Sequence, residues 1–254
     1  MPFDPTSRFS DRVSAYRRFR PGYPAALFDH LQRQCGLDER TVIADIGSGT
    51  GILTRCWLER GYRVFAVEPN GPMRAVAEEL LGDRDRFVSR AGRAERTSLD
   101  SASIDLLTAA QAFHWFDRDA TRREFRRVLR ADGWVAIIWN DRRKTSTPFL
   151  EAYERLLLEH GTDYVEVDHT RIEAPELAEF FGPRGYHRAR FDNHQQLDLP
   201  GLEGRLESSS YAPPAGSAAY EPMIRDLRQI FAAYSSAGTV TLEYDTVVYY
   251  GHLS

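Results

Sequence analysis

The sequence is poor in several features that would each have pointed to a class of protein. It has two cysteines, Cys35 and Cys56, 21 residues apart. They form neither a disulfide framework nor a metal-type pair, and a reducing cytoplasm is the expected setting. No apolar run approaches the roughly 20 residues that a membrane helix needs. The opening stretch MPFDPTSRFSDRVSAYRRF has no apolar segment of the kind that marks a secretory signal. Charge of one sign is not in excess: 33 Lys and Arg against 37 Asp and Glu leave −4. That balance gives no electrostatic reason to expect a nucleic-acid or membrane partner. The densest basic stretch, Arg122, Arg123, Arg126, Arg127 and Arg130, alternates with Glu124, Phe125, Val128 and Leu129. It reads as the solvated face of an amphipathic helix. His187 and His194 have too few ligand-type neighbours to suggest a metal site. His160 ends a helix, where it favours the dipole.

What is present is an alternation of strands and helices. The 254 residues are 42% hydrophobic and 28% charged, ordinary values for a globular chain. Val42–Ile46 is an apolar run broken only by Asp45, and a helical pattern follows GSGTG. Tyr62–Val67 predicts the next strand, and residues 72–81 a helix opened by Pro72 and stopped by Gly82. Phe87–Val88, Ile104–Thr108 and Trp134–Trp139 supply further strands. A helix around Thr121–Leu129 lies between the last two, and Asp132-Gly133 makes a turn. Strands that are apolar throughout are buried on both faces, so the pattern predicts a doubly wound, mostly parallel α/β sheet with helices on both faces. After residue 140, Pro148–His160 and 175–181 read as helices and Tyr186–Asp192, or on to Leu197, as a strand. A helical stretch over about 200–234 is interrupted at Ala212–Gly216. Thr239–Tyr250 closes the sheet as a strand pair or one long antiparallel strand. The division expected is an N-terminal helical lid (1–40), a cofactor-binding core (41–145), and the rest of the sheet with helical substrate-cover insertions (146–254).

The chemistry concentrates at Asp45-Ile46-Gly47-Ser48-Gly49-Thr50-Gly51. Glycines after a strand permit a tight turn and close approach of a ligand. In open α/β sheets that position lies outside the carboxyl ends of the strands, where ligands bind. Glu68 ends the next strand, 21 residues after Gly47, and a carboxylate there can accept both hydrogen bonds of a ribose diol. A dinucleotide fingerprint, G-x-G-x-x-G, would need glycine at position 52, which is Ile52.

The spacing G-x-G-x-G, with an acid two residues before it, resembles the cofactor loop of class I S-adenosylmethionine-dependent methyltransferases, which are Rossmann-like. VEPN at 67–70 with Met73, GRAE at 92–95, IDLLTAAQAFHWF at 104–116 and EFRRVLRADGWVAIIWN at 124–140 resemble further segments of that family. YRRFRPGYP at 16–24 resembles the N-terminal lid of its type 11 small-molecule subgroup. The resemblance implies S-adenosylmethionine as cofactor. Asp45 and the backbone from Gly47 through Ser48 and Gly49 to Gly51 would hold the methionine portion, and Glu68 the ribose. Pro69, Met73, Ala94 and Glu95 would frame the adenine. Ala110 and Gln111 would border the sulfonium, and Tyr16 and Arg20 would close the site.

Methyl transfer from a sulfonium needs no nucleophilic residue, and a general base only where the acceptor must lose a proton. His114 is the one base candidate within these motifs, and packing against its aromatic neighbours is the alternative. Phe113, Trp115 and Phe116 read equally as core or as lining for an apolar acceptor. The tyrosines Tyr244, Tyr249 and Tyr250 read as sheet packing. The expectation is a methyltransferase acting on a small molecule, with no nucleic acid or membrane partner, as monomer or homodimer. A nicotinamide oxidoreductase and a non-catalytic cofactor-binding module are the alternatives.

Overall fold

The computed structural model describes residues 19–162, 164 and 174–254. Their strands form one sheet in the order β3-β2-β1-β4-β5-β7-β6. They are β1 (Val42–Ile46), β2 (Arg63–Val67), β3 (Phe87–Arg90), β4 (Ile104–Ala110), β5 (Leu129–Arg142), β6 (His187–Leu197) and β7 (Val240–Gly251). β1 to β5 pair in parallel, and β7 lies antiparallel between β5 and β6. This is the mostly parallel, doubly wound sheet with a C-terminal antiparallel strand that the sequence predicts. Strand order reverses between β1 and β4, which makes a crevice at their carboxyl ends.

Each face of the sheet has its own helical layer. Helices α1 (Ala25–Gln34) and α2 (Ile52–Glu59) cover one face through Leu27, Phe28, Leu31, Leu53 and Trp57. Trp57 is fully buried and meets Phe28 edge-on at 4.8 Å and Tyr62 at 5.5 Å. Such pairs contribute about 0.5–1.5 kcal/mol beyond their area. On the same connection pattern follow α3 (Gly71–Leu81) and α4 (Arg118–Val128). Helix α4 and α6 (Ala174–Phe181) pack Phe125, Val128, Leu177, Phe180 and Phe181 on the other face. A third cluster joins α5 (Pro148–His160), α7 (Leu199–Glu207) and α8 (Tyr220–Tyr234) to Leu197, Leu242 and Tyr244. It forms a cap over the edge of β6 and β7. Side chains open these helices where the sequence places polar residues: Asn70, Asp117, Thr147 and Asp198 each accept a backbone N–H of the first turn.

One element differs from the sequence reading. β5 begins at Leu129, because Asp132-Gly133 turns inside the strand run. Ile104 pairs with Leu129 and Leu106 with Trp134, and Asp132 adopts φ 61°. The helical stretch near 200–234 is interrupted as expected, into α7 and α8. Of the two readings of the C-terminal segment, the structure has the one long strand. The arginine-rich face is largely solvated as expected, but Arg122 is half-buried and donates to the carbonyls of Phe180 and Ser254.

Candidate active site

The glycine turn grows directly out of β1. The N–H groups of Gly47 and Ser48 donate to the Val67 carbonyl at 2.9 and 3.2 Å, which ties the turn to the end of β2. Gly47 has φ 68°, and a Cβ there would stand 2.7 Å from Ala112 Cβ. Gly49 has φ 57°, and a Cβ there would meet only Met73 Sδ, at 3.9 Å. Its vacant side therefore faces an open cleft. Gly51 caps the start of α2 behind the turn.

The cleft brings together Gly47, Gly49, Glu68, Pro69, Met73, Ala94, Glu95, Ala110 and Gln111, nine positions named from the sequence. Glu68 is buried. Its Oε2 accepts from Gly49 N and its Oε1 from Asn70 N, each at 2.8 Å. Burial pushes its carboxyl up from the usual range, while those two N–H bonds and Arg74 oppose the rise. Each carboxylate oxygen retains a second lone pair, the number a ribose diol needs. These acceptors and the side-chain-free wall at Gly49 thus fit a nucleoside.

The turn that carries Ala94 and Glu95 is held by α4. Glu124 Oε1 accepts from Thr97 N at 2.8 Å and Thr97 Oγ1 at 2.6 Å. The hydrogen bond from Arg127 drives the Glu124 carboxyl down to about 2. Glu95 accepts from Asp117 N at 2.9 Å and so joins this turn to the start of α4. On the opposite wall Gln111 adopts φ 56°, a conformation that costs a non-glycine residue of order 1–3 kcal/mol. Its N–H donates to Ile138 O at 2.9 Å and its Nε2 to Asn140 O at 3.3 Å, which fix it there.

Other named residues lie elsewhere. Asp45 is fully buried beneath the turn, where Thr54 Oγ1 donates to it at 2.6 Å and Thr108 Oγ1 at 3.1 Å. Burial pushes its carboxyl up to about 6. Ser48 is buried in the turn. His114 leans on Trp115, ring centres 4.7 Å apart, and is outside the cleft lining. The aromatic trio divides: Phe113 is core, packed on Phe180 at 4.7 Å, while Trp115 and Phe116 line the cleft. Arg20 donates to the Ser208 carbonyl at 2.7 Å, below the cap rather than in the cleft. Tyr16 lies outside the described residues. Sequence reasoning did not single out Asn70, whose place before Gly71-Pro72 was a capping signal. It also missed Arg93 and Ala112 in the lining, and Asn140, a polar residue ending an apolar strand.

A cleft at the switch point of this sheet, lined by a G-x-G-x-G turn and a buried acid, fits a class I methyltransferase architecture. The methyltransferase domain family matches residues 44–137. An uncharacterized methyltransferase-like protein of Schizosaccharomyces pombe is 30% identical over 189 residues, covering 72% of this chain and 68% of that protein. An uncharacterized methyltransferase of Mycobacterium tuberculosis is 39% identical over 139 residues, 55% of this chain and 54% of that protein. The chain thus spans about half the length of the mycobacterial relative. A solved structure from Anaeromyxobacter dehalogenans, described as a type II methyltransferase, shares the fold. Its TM-score is 0.71 over 92% of this chain and 98% of that one, at 24% identity. The chain belongs to the class I S-adenosylmethionine-dependent methyltransferases, which sets the nicotinamide alternative aside. Among the described residues no helix is long and apolar enough to cross a membrane.

Proposed function

We propose that this protein methylates a small molecule bound between the cofactor cleft and the cap of α5, α7 and α8. The observation that carries this reading is the convergence of Gly47, Gly49, Glu68, Met73, Ala94, Ala110 and Gln111 on one cleft. The Gly47–Gly51 backbone would hold the methionine portion, Glu68 the ribose, and Pro69, Met73, Ala94 and Glu95 the adenine. Asp45 would act from beneath, holding the turn through Thr54 and Thr108. Bound there, S-adenosylmethionine supplies a methyl on a sulfonium, so that an acceptor lone pair forms the new bond while the C–S pair stays with sulfur.

The residues' own task is then alignment and exclusion of water, effects worth roughly 7–11 kcal/mol in favourable cases. Trp115 and Phe116 give the cleft an apolar wall toward the acceptor. His114, next to Trp115 and just outside the cleft lining, is the base candidate for an acceptor that must lose a proton. Of the region 1–40, α1 packs on the sheet, so the lid role falls to the stretch before it; 41–145 would be the cofactor-binding core and 146–254 the rest of the sheet with its substrate-cover helices. Phe19 supports the lid assignment, because its ring packs directly on Gly204 of the cap. The paucity of cysteine supports a cytoplasmic setting.

Isothermal titration of the full chain with S-adenosylmethionine tests the reading. Micromolar binding is expected, and no binding at millimolar ligand rejects it. Metabolite profiling with methyl-labelled cofactor then identifies the acceptor, and His114→Gln should slow turnover without changing cofactor affinity.

A further inference from the structure

The cap conceals a cation whose charge the described residues leave unbalanced. Arg205, on α7, is 6% exposed. Its Nε donates to the Tyr244 hydroxyl at 3.3 Å, and its Nη1 to Ser209 Oγ at 2.8 Å and Ser208 Oγ at 3.5 Å. A guanidinium carries five N–H groups. Three are used on hydroxyls; the two on Nη2 have no partner among the described residues. The groups that dominate its electrostatic surroundings are phenols, those of Tyr244, Tyr211 and Tyr153, and no carboxylate of the described residues pairs with it.

Further cations stand beside it. Arg142 pairs with Glu154, but Lys144 Nζ approaches the same carboxylate at 3.6 Å. The Arg142 guanidinium also lies 5.0 Å from the centre of the Tyr153 ring. Arg20 reaches the Ser208 carbonyl. Of Arg142 and Arg205, only Arg142 pairs with a carboxylate of the described residues, Glu154. Burial pushes the Tyr211 phenol up, yet Arg205, the Ser209 hydroxyl, Arg142 and Arg20 together bring it below its ordinary value. A buried cation without a counter-charge is costly, and a fold that needed only a pin between α7 and Tyr244 would be served as well by a neutral donor. A rigid fork with free N–H groups is instead the geometry that receives an oxyanion.

This cluster connects with the cofactor cleft. Gln111 Nε2 donates to Asn140 O at 3.3 Å. Asn140 Nδ2 and Asn193 Nδ2 both donate to Gly22 O, at 3.1 and 2.9 Å. Gln195 Nε2 donates to Phe19 O at 3.0 Å, and Gln195 Oε1 accepts from Tyr244 OH at 3.0 Å. Tyr244 in turn accepts from Arg205. Asn140 and Arg142 are two residues apart on β5, so their side chains share a face about 7 Å apart. Polar side chains of β5, β6 and β7 thus lead from the cleft at Gln111 toward Arg205.

We propose that the acceptor carries an oxyanion group, a carboxylate or a phosphate, and that Arg205 receives it with Arg142 and Arg20 around it. The proposal rests on the methyltransferase reading and adds the chemical class of the acceptor.

The test uses the full chain saturated with S-adenosylhomocysteine, titrated calorimetrically with malonate and, separately, with inorganic phosphate at constant ionic strength. Wild type is expected to bind at least one of them, and Arg205→Met to weaken that binding by about ten- to a hundredfold. Arg205→Lys, which keeps the buried charge, should recover part of the loss. S-adenosylhomocysteine affinity should stay the same in all three. Binding of malonate alone assigns a carboxylate acceptor, and of phosphate alone a phosphorylated one. No binding of either anion by wild type, or equal affinity in wild type and Arg205→Met, overturns the proposal. Should the Met variant not fold, equal affinity in wild type and Arg205→Lys does so. Failure of S-adenosylhomocysteine to bind wild type would instead strike the methyltransferase reading, so the two failures are distinct. Once an acceptor is in hand, Arg205→Lys should raise its KM and leave kcat near wild type, a split that a purely structural pin would not produce.

Discussion

Replacing Asp45 by Asn is expected to stabilise the protein at neutral and alkaline pH, although this acid belongs to the signature of the cofactor turn. Asp45 is 1% exposed, and its nearest polar partners are two neutral hydroxyls. Burial, against the pull of Thr54 and Thr108 and with a small repulsion from Glu68, lifts its carboxyl from 3.8 to about 6. The folded state therefore holds this proton more tightly than the unfolded chain. Its stabilising contribution is complete below about pH 3.8 and is lost as pH rises through about 6. The displacement is worth about 3 kcal/mol once both states are ionised. Asn carries no charge at any of these pH values. Its Oδ1 can accept from Thr108, and its Nδ2 can donate to Thr54 Oγ1. Exchanging charge-assisted bonds for neutral ones returns part of the gain, so a net stabilisation of about 1–3 kcal/mol is expected at pH 8. For a chain of this size that corresponds to a rise in Tm of roughly 2–12 °C. Urea denaturation from pH 4.5 to 8 measures it directly: the two curves should converge toward the acid end. An Asn variant less stable than wild type at pH 8, or a difference independent of pH, refutes the reasoning. Because Asp45 lies under the turn, S-adenosylmethionine affinity should change by no more than a few-fold. A large loss of affinity in a well-folded variant would place Asp45 in direct contact with the cofactor.

Glu68→Gln replaces one of two oxygens that each hold a backbone N–H at 2.8 Å. With bonds to a charged acceptor worth about 1.5–3 kcal/mol each, cofactor affinity should fall by about tenfold or more, and an unchanged Kd by calorimetry would remove Glu68 from its role. Gly47→Ala forces an L residue to φ 68° with its Cβ 2.7 Å from Ala112 Cβ. A loss of about 1–3 kcal/mol by denaturant titration is expected, together with weaker cofactor binding. Gly204→Ala sets a Cβ 2.1 Å from the Phe19 ring, which must then leave its seat under the cap. Labelled methyl turnover should fall while S-adenosylmethionine Kd stays within about twofold; equal turnover would show that residues 19–22 are not needed to complete the acceptor side.

The sheet and the cofactor cleft were legible because each rests on local sequence. Buried strands such as Val42–Ile46 are apolar on both faces, and a glycine turn needs its glycines adjacent in the chain. The start of β5 was hidden because Asp132-Gly133 gives a true turn signal inside a strand that has already begun at Leu129. His114 carried a motif position, yet the 3₁₀ turn Phe113–Trp115 sends Trp115, not His114, into the cleft lining. The acceptor side was not legible at all. It gathers residues as distant as Phe19, Asn140, Tyr153, Arg205 and Tyr244, and each has an ordinary reading alone. Arg205 lies between Glu203 and Glu207 on a short helix, where a solvated arginine is the natural expectation.

That side nevertheless follows from the topology once the antiparallel strand is known. β5 leaves the sheet at Arg142, on the same edge as the glycine turn, so α5 must begin there. β6 runs antiparallel to β7, and Leu197 at its end pairs with Val240 at the start of β7. Both chain ends of the segment 198–239 are therefore anchored at that edge, and α7 and α8 have nowhere to pack except over it. Arg142 pairs with Tyr244, and Asn140 with Thr246. The strand next to the cofactor strands thus faces the entry of β7, and polar side chains from both meet the cap. The strand reversal that closes the sheet is what brings the proposed acceptor-binding side chains to the same edge as the glycine turn.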